Sequence, residues 1–418
     1  MKFPLSFGFV YLTESIRFDK ILSKVKAKLK MLKMEFLEII SSKIDKEAIV
    51  DLTCELIKKR TVNPPGNEYL AKDLIVDSLK QLGARIEILE KESGRPNILG
   101  WIGEGNPVIA IIAHLDVVPP GQGWETDPFF PQVKEGKIYG RGAIDDKGPY
   151  AASWGAVKSI LSSGLPWRGT IVLGAVSDEE RGSEAGMKFL LEEKNFRPSF
   201  CIIPDGGKLN EVVIGEKGGV GVKLSTKGKS AHASQPYQGE NAIYKMLRFL
   251  DPLREFNFEG NHHPLFDALT LNLAKIKGGQ ASNVVPDSCE AVLDIRYPLG
   301  MSQEEVISQL KSLSSRLGLD VEIGVIFSTE PHLLEEENPL VKAFKQIAKT
   351  MGVNLKFGTM GGITLAKNLY FKGIPGVVHS PGRDSVAHQP NEYVEIGDLF
   401  FCSKLWAGVI YQILGGRS

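Results

Sequence analysis

The chain has 418 residues, 43% of them hydrophobic and 24% charged, so whole-chain disorder, collagen and coiled coil are excluded. At roughly 150 residues per domain, this length implies two or three domains, or one large core with an insertion. Lysine plus arginine number 50 and aspartate plus glutamate number 50, so no net charge draws the protein toward nucleic acid or an anionic membrane.

The first 34 residues stand apart. Residues 3–12 form an uncharged, aromatic-rich run broken by Pro4 and Gly8, and lysines follow at 20, 24, 26, 28, 30 and 33. No A-x-A cleavage site follows, and Met31 and Met34 sit just before regular sequence begins. Residues 1–34 therefore read as a basic tail outside the mature fold, behind a misassigned start, rather than as a targeting segment. No stretch reaches the about eighteen apolar residues of a spanning helix, so no stable membrane association is expected. Cys54, Cys201, Cys289 and Cys402 lie far apart without a C-x-x-C pair, which fits a reducing compartment and a cytoplasmic location.

Apolar residues at helical spacing (Ile49, Leu52, Leu56) predict a helix over 46–59, and the same pattern predicts one over 67–82. Between them, Thr61-Val62-Asn63-Pro64-Pro65-Gly66 reads as a loop. Residues 84–89 and 107–113 read as strands, the second an unbroken apolar run suited to a sheet covered on both faces. A helix over 149–163, a strand over 170–176, a helix over 183–193 and a strand over 200–203 continue the alternation. This is a layered α/β core with helices on both sheet faces. Near Gly215 the rhythm changes. Strands at 220–226, 270–276 and 291–296, with helices at 242–250 and 303–317, describe an inserted α+β domain. A helix over 339–351, a strand over 376–379 and a helix over 397–414 return to the first style. The boundaries fall at 35–215 and 329–418 for the core, with 216–328 as the insertion.

The strand ending at Ala113 runs into His114-Leu115-Asp116, and period two puts His114 and Asp116 on one face at its carboxyl end. Ligand sites of open α/β sheets form there. By itself the pair fits a core histidine and a turn-capping aspartate equally well. Asp145 and Asp146, in a glycine-containing segment before a helix, fit either a cation site or a helix cap. Asp178, Glu179 and Glu180 follow another apolar strand, and adjacent acids repel unless solvated or metal-bound. Asp205 follows a third strand, and His388 lies in a loop near the end of the chain. Together these segments deliver two histidines and several carboxylates, all ligand types for zinc. The absence of cysteine from the set disfavours a structural zinc site.

The segments resemble, in order, those of the dinuclear-zinc amidohydrolase and peptidase family. That family contains acetylornithine deacetylase, succinyl-diaminopimelate desuccinylase, carboxypeptidase G, aminoacylase and carnosinase-type dipeptidases. The resemblance covers nearly everything after the tail. It implies a zinc-peptidase-like catalytic domain and an inserted lid, often used for dimerisation. It places one metal on His114, Asp145 and Asp205, and a second on Asp145, Glu180 and His388. It makes Glu179 the general acid/base and Asp116 the carboxylate that orients His114. In the lid, His232 matches a histidine that reaches the reacting carbonyl, commonly in the partner subunit, and Asn283 and Arg296 match residues that grip substrate. Without the family match, a turn residue and a surface charge would be the better readings of those two. Gly361-Gly362 resembles a glycine pair beside the substrate carboxylate, with Ile363 where a hydroxyl residue is usual. His262, His263, His332 and His379 match no ligand position and read as structural or surface residues.

The expected function is a metal-dependent hydrolase that cleaves an amide in an N-acylated amino acid or short peptide. Water would be activated by two divalent ions, zinc with cobalt or manganese able to substitute. A homodimer through the lid and no nucleic-acid partner are expected. The alternatives are a dipeptidase or carboxypeptidase of the same family, and a catalytically silent binding protein on the same fold. The second is disfavoured because no ligand position and not Glu179 is lost. Asp145-Asp146-Lys147-Gly148-Pro149 and Gly215-Glu216-Lys217-Gly218 look more like the dipeptidases, whereas the compact lid and overall length look more like the deacylases.

Overall fold

The apolar run before His114 forms the strand Val108–His114, in which every residue after Val108 is buried. In the computed structural model, residues 35–382 and 384–415 are described, so the tail at 1–34 lies outside the described residues. The chain divides into two units. Of the described residues, the first comprises those up to Val212, Glu336–Lys356 and those from Phe371 on, and the second comprises Val213–Glu335 and Phe357–Tyr370.

In the first unit, Val108–His114 is central. It pairs in parallel with Gly169–Val176 on one side and Phe200–Ile203 on the other, and Gly376–Val378 extends the parallel set beyond Phe200–Ile203. The chain leaves Val108–His114, passes through the helix Lys147–Ser162 and enters the neighbour on one side, then takes the other side with its next strand. That reversal opens a crevice at the carboxyl ends of the strands, where such sheets bind ligands. On the far side of Gly169–Val176, Pro96–Glu104 and Arg85–Glu90 add two antiparallel strands.

Pro96–Glu104 is absent from the expected elements. Its leading proline and Gly100 and Gly103 break the strand signal. Gly100 is required because a Cβ there would lie 2.5 Å from a Leu79 methyl on the helix Tyr69–Gln81. That helix is fastened to Lys147–Ser162 by Ser78, whose hydroxyl meets Tyr150 Oη at 2.9 Å and whose carbonyl accepts Trp154 Nε1 at 2.9 Å. The predicted helix over 183–193 shortens to Met187–Glu192, because residues 177–186 form an irregular turn.

In the second unit, an antiparallel sheet runs Thr270–Gly278, Ser288–Tyr297, Gly218–Lys227, Val321–Thr329. The last strand is not among the expected ones, since Gly324 interrupts its pattern. Along Ser288–Tyr297, Cys289, Ala291, Leu293, Ile295 and Tyr297 alternate into a core shared with Phe249 and Leu310 of the helices Ala242–Leu253 and Gln303–Arg316. Ser302 and Glu305 close a capping box at the start of the second helix. Residues 357–370 belong to this unit, whereas the sequence boundaries run them with the core. The cause is a buried polar knot. Glu216 accepts the Thr364 hydroxyl at 2.7 Å and its amide at 3.2 Å, and Lys367 Nζ donates to the carbonyls of Lys217 and Glu330.

Candidate metal centre

His114 closes its strand with its ring fully buried, and its Nδ1 lies 2.9 Å from the main-chain oxygen of Asp116. That contact fixes the proton on Nδ1 in the neutral ring and aims Nε2 at Asp145 Oδ1, 2.8 Å away. The Asp116 carboxylate, expected to orient His114, stands 3.6 Å from Nδ1, too long for a hydrogen bond. It instead accepts the backbone N–H groups of Glu179 at 3.1 Å and Glu180 at 3.2 Å, together with Asn63 Nδ2 at 2.8 Å. Burial opposes its ionisation, but His114, Asn63 and the Glu179 amide hold it below the usual carboxylate range.

Glu179 and Glu180 follow the strand Gly169–Val176 through a turn rather than a regular continuation. Asp178 adopts φ +65°, and Glu179–Arg181 form one turn of 3-10 helix. Successive side chains of an extended strand face opposite ways, whereas this turn lets both glutamates enter one cluster. Carboxylate or imidazole atoms of His114, Glu179 and Asp205 lie within 4.8 Å of one another, and so do those of His114, Asp145 and Glu180.

His388 arrives from far along the chain because the strand Tyr393–Glu395 pairs with Lys137–Tyr139. This sets residues 388–392 beside residues 140–146, with the Gly140 amide donating to the Glu392 carbonyl at 2.9 Å. His388 Nε2 then lies 2.9 Å from Asp145 Oδ2 and 3.2 Å from Glu180 Oε1. Glu392 and Arg141 form a buried ion pair that braces both loops. Glu392 accepts the amide of Ile144 at 3.1 Å, and Arg141 Nη2 donates to the His388 carbonyl at 3.2 Å.

The Asp145 carboxylate thus lies between two imidazoles, one oxygen toward each. Burial opposes its ionisation, but both rings hold it well below the usual carboxylate range. Hydrogen bonds to Asp145 and Glu180 lift His388 to about 10. Burial, then the charge of Asp205, pushes Glu179 well above the carboxylate range. Burial likewise raises Asp146, which accepts the His114 amide at 3.0 Å. A cluster of two imidazoles and four carboxylates in which one aspartate faces both rings suits divalent cations, and its purely N/O donor set suits zinc, cobalt or manganese.

His232, Asn283, Arg296, Gly361 and Gly362 all lie in the second unit. There the Ala233 amide donates to the Asn283 carbonyl at 3.0 Å, which sets His232 and Asn283 on neighbouring strands of backbone. His232 is exposed, and its Nδ1 accepts the Ser234 amide at 3.1 Å, leaving the proton of the neutral ring on Nε2. Arg296 is held by Asp294 through two bonds of 2.7 and 3.0 Å. His379 is buried and donates from Nε2 to the Leu209 carbonyl at 3.0 Å, in keeping with a structural residue.

The sequence profile of Peptidase family M20/M25/M40 matches residues 110–412, well over half of the chain. The chain belongs to this family. As an M20/M25/M40 member it is a metal-dependent hydrolase of amide or peptide bonds. It is 29% identical over 379 residues to a succinyl-diaminopimelate desuccinylase of Alkalilimnicola ehrlichii, covering 88% of this chain and 99% of that one. It is 31% identical over 411 residues to an uncharacterized metallohydrolase of Methanocaldococcus jannaschii, again covering 88% and 99%. Its fold matches a tripeptidase from Staphylococcus aureus with a TM-score of 0.72 at 22% identity, covering 89% of this chain and 99% of that one. It also matches human carnosine dipeptidase 1 with a TM-score of 0.65 at 19% identity, covering 90% and 99%.

The supporting residues Asn63, Glu68, Arg95, Arg141 and Glu392 are not singled out by sequence, and Asp178 is read only as one of three adjacent acids. The available signal is a charged or amide residue beside a glycine or proline in a loop, as in Asn63-Pro64 and Arg95-Pro96.

Proposed function

We propose that this protein removes an acyl group from an N-acylated amino acid, using two zinc ions per chain and Glu179 as the proton shuttle. The observation that carries this reading is the Asp145 carboxylate set between His114 and His388 at 2.8 and 2.9 Å. One ion would take His114, Asp145 and Asp205, and the other Asp145, Glu180 and His388. Two bound ions would supply Lewis acidity and lower the pKa of a water molecule from ~15.7 toward ~7. Glu179 takes a proton from the attacking water as its oxygen bonds to the amide carbon. It returns that proton to the nitrogen as the C–N bond breaks. Asp116 holds the amides of Glu179 and Glu180 and so keeps the shuttle in place.

His232 is assigned to the oxyanion in the partner's site, and Asn283, Arg296, Gly361 and Gly362 to substrate. Homodimerisation through the second unit is supported by its apolar surface. Tyr244 and Leu247 on the helix Ala242–Leu253 are exposed, as are Leu273 and Ile276 on the edge strand Thr270–Gly278. A groove of about 1210 Å3 lined by Leu247, Leu273, Ile276 and Phe256 lies there. No helix among the described residues is long and apolar enough to cross a membrane. The unpaired state of Cys54, Cys201, Cys289 and Cys402 supports a reducing, cytoplasmic setting.

The deacylase reading is favoured by the desuccinylase relative, matched over 99% of its length. Cleavage of a dipeptide is the second reading, favoured by the segments at 145–149 and 215–218. A zinc-loaded screen of N-acetyl amino acids, N-succinyl amino acids and dipeptides tests both. Turnover of the acylated substrates above the dipeptides is expected. The reverse order makes the protein a dipeptidase, and no turnover of any amide contradicts the reading.

A further inference from the structure

The turn that carries Glu179 is held from behind by a buried charged network. Arg95 donates from Nε to Glu68 Oε2 at 3.2 Å and from Nη2 to Glu68 Oε1 at 2.7 Å, and its Nη1 meets Asp178 Oδ1 at 2.9 Å. Side-chain exposures of 10% for Arg95, 0% for Glu68 and 8% for Asp178 keep water from screening these pairs. Glu68 Oε1 also accepts the Asp178 amide at 3.3 Å, while Asp178 Oδ2 accepts the Ala185 amide at 3.0 Å. Asn63 Nδ2 links Asp178 Oδ1 at 3.2 Å to Asp116 Oδ2 at 2.8 Å. The guanidinium lies against Gly66, where an added Cβ would fall 2.5 Å from Nε, so the backbone is shaped to admit it.

Asp178 has φ +65°, a conformation that a non-glycine residue keeps only when its surroundings over-determine it. Glu68 and Asp178 are both buried carboxylates, and the planar fork of Arg95 satisfies both at once, which a lysine ammonium does not reproduce. We propose that Arg95 is a positioning residue for proton transfer: clamped between Glu68 and Asp178, it holds the left-handed turn from which Glu179 joins the cluster of His114 and Asp205. This rests on Glu179 being the shuttle.

The test is a double-mutant cycle of Arg95→Lys and Glu179→Gln on the full-length, zinc-loaded protein, with the best substrate of the screen. Arg95→Lys is expected to lower kcat on the order of 10²-fold with KM and metal content unchanged, as misplacement of a reacting group does. In the Glu179→Gln background the same substitution should cost nothing further, because the group it positions is gone. Glu68→Gln, which keeps an acceptor for the Asp178 amide, should retain more of kcat than Arg95→Lys. If the two losses multiply, or if Arg95→Lys sheds a metal ion, the inference is overturned. If Glu179→Gln is itself fully active, the shuttle assignment falls and the inference with it. If Glu179→Gln is impaired but Arg95→Lys is not, only the inference falls. Should Arg95→Lys not fold, Asp178→Asn removes the same ion pair from the other side and carries the same cycle.

Discussion

His388 illustrates how a single residue couples the site to pH. Bonds to Asp145 and Glu180 lift its imidazolium from 6.5 to about 10 in the metal-free chain. A group whose pKa rises on folding stabilises the fold fully below its unfolded value, and that contribution is lost as pH climbs through the folded one. The metal-free protein should therefore lose stability between pH 6.5 and about 10 as His388 deprotonates. Metal binding needs the neutral ring, so loading at neutral pH should release protons and tighten as pH rises. Calorimetric titration with zinc in two buffers of different ionisation enthalpy measures this. A binding heat independent of buffer would show that His388 is not a ligand. At this scale His114, Asp145, Glu179, Glu180, Asp205 and His388 are legible in sequence, because strand ends and loops carry them in a familiar order. Arg95 and Glu68 are not. Glu68 lies 110 residues from the Asp178 amide it accepts, and only the fold brings them together.

Among the elements, the parallel strands are legible because burial on both faces writes a continuous apolar run, as in Val108–His114. Pro96–Glu104 and Val321–Thr329 are hidden because Gly100, Gly103 and Gly324 erase the strand pattern, the first two while admitting close neighbours. The tightest approach at a glycine among the described residues lies beside the active turn. A Cβ on Gly186 would sit 1.8 Å from the Ser177 carbonyl oxygen, which is backbone and cannot turn aside. Gly186→Ala should therefore cost about 1–3 kcal/mol of stability in urea unfolding, as overpacking does, and should lower kcat by displacing residues 177–180. Wild-type stability and rate in this variant would contradict the packing described for the turn.

At the scale of the whole molecule, the change of rhythm near Gly215 is legible, but the placement of residues 357–370 in the second unit is not, because Thr364 and Lys367 are drawn there by the buried Glu216 and by backbone carbonyls. Its exposed Leu247 and Ile276 should support a dimer in sedimentation, and Leu247→Asp with Ile276→Asp should give monomers. Mixing His232→Ala chains with Glu179→Ala chains should restore activity after subunit exchange if each His232 serves its partner. Absence of recovery would place His232 in its own chain or outside the reaction. The bridging role of Asp145 is measured by metal bound per chain against hydrolysis rate, as the metal-free protein is titrated with zinc by equilibrium dialysis. Saturation is expected near two ions per chain in the wild type, with full activity reached only there, and weakened binding at both sites in Asp145→Asn. Full activity at one ion per chain, or an Asp145→Asn variant that still binds two ions with unchanged affinity, would contradict it.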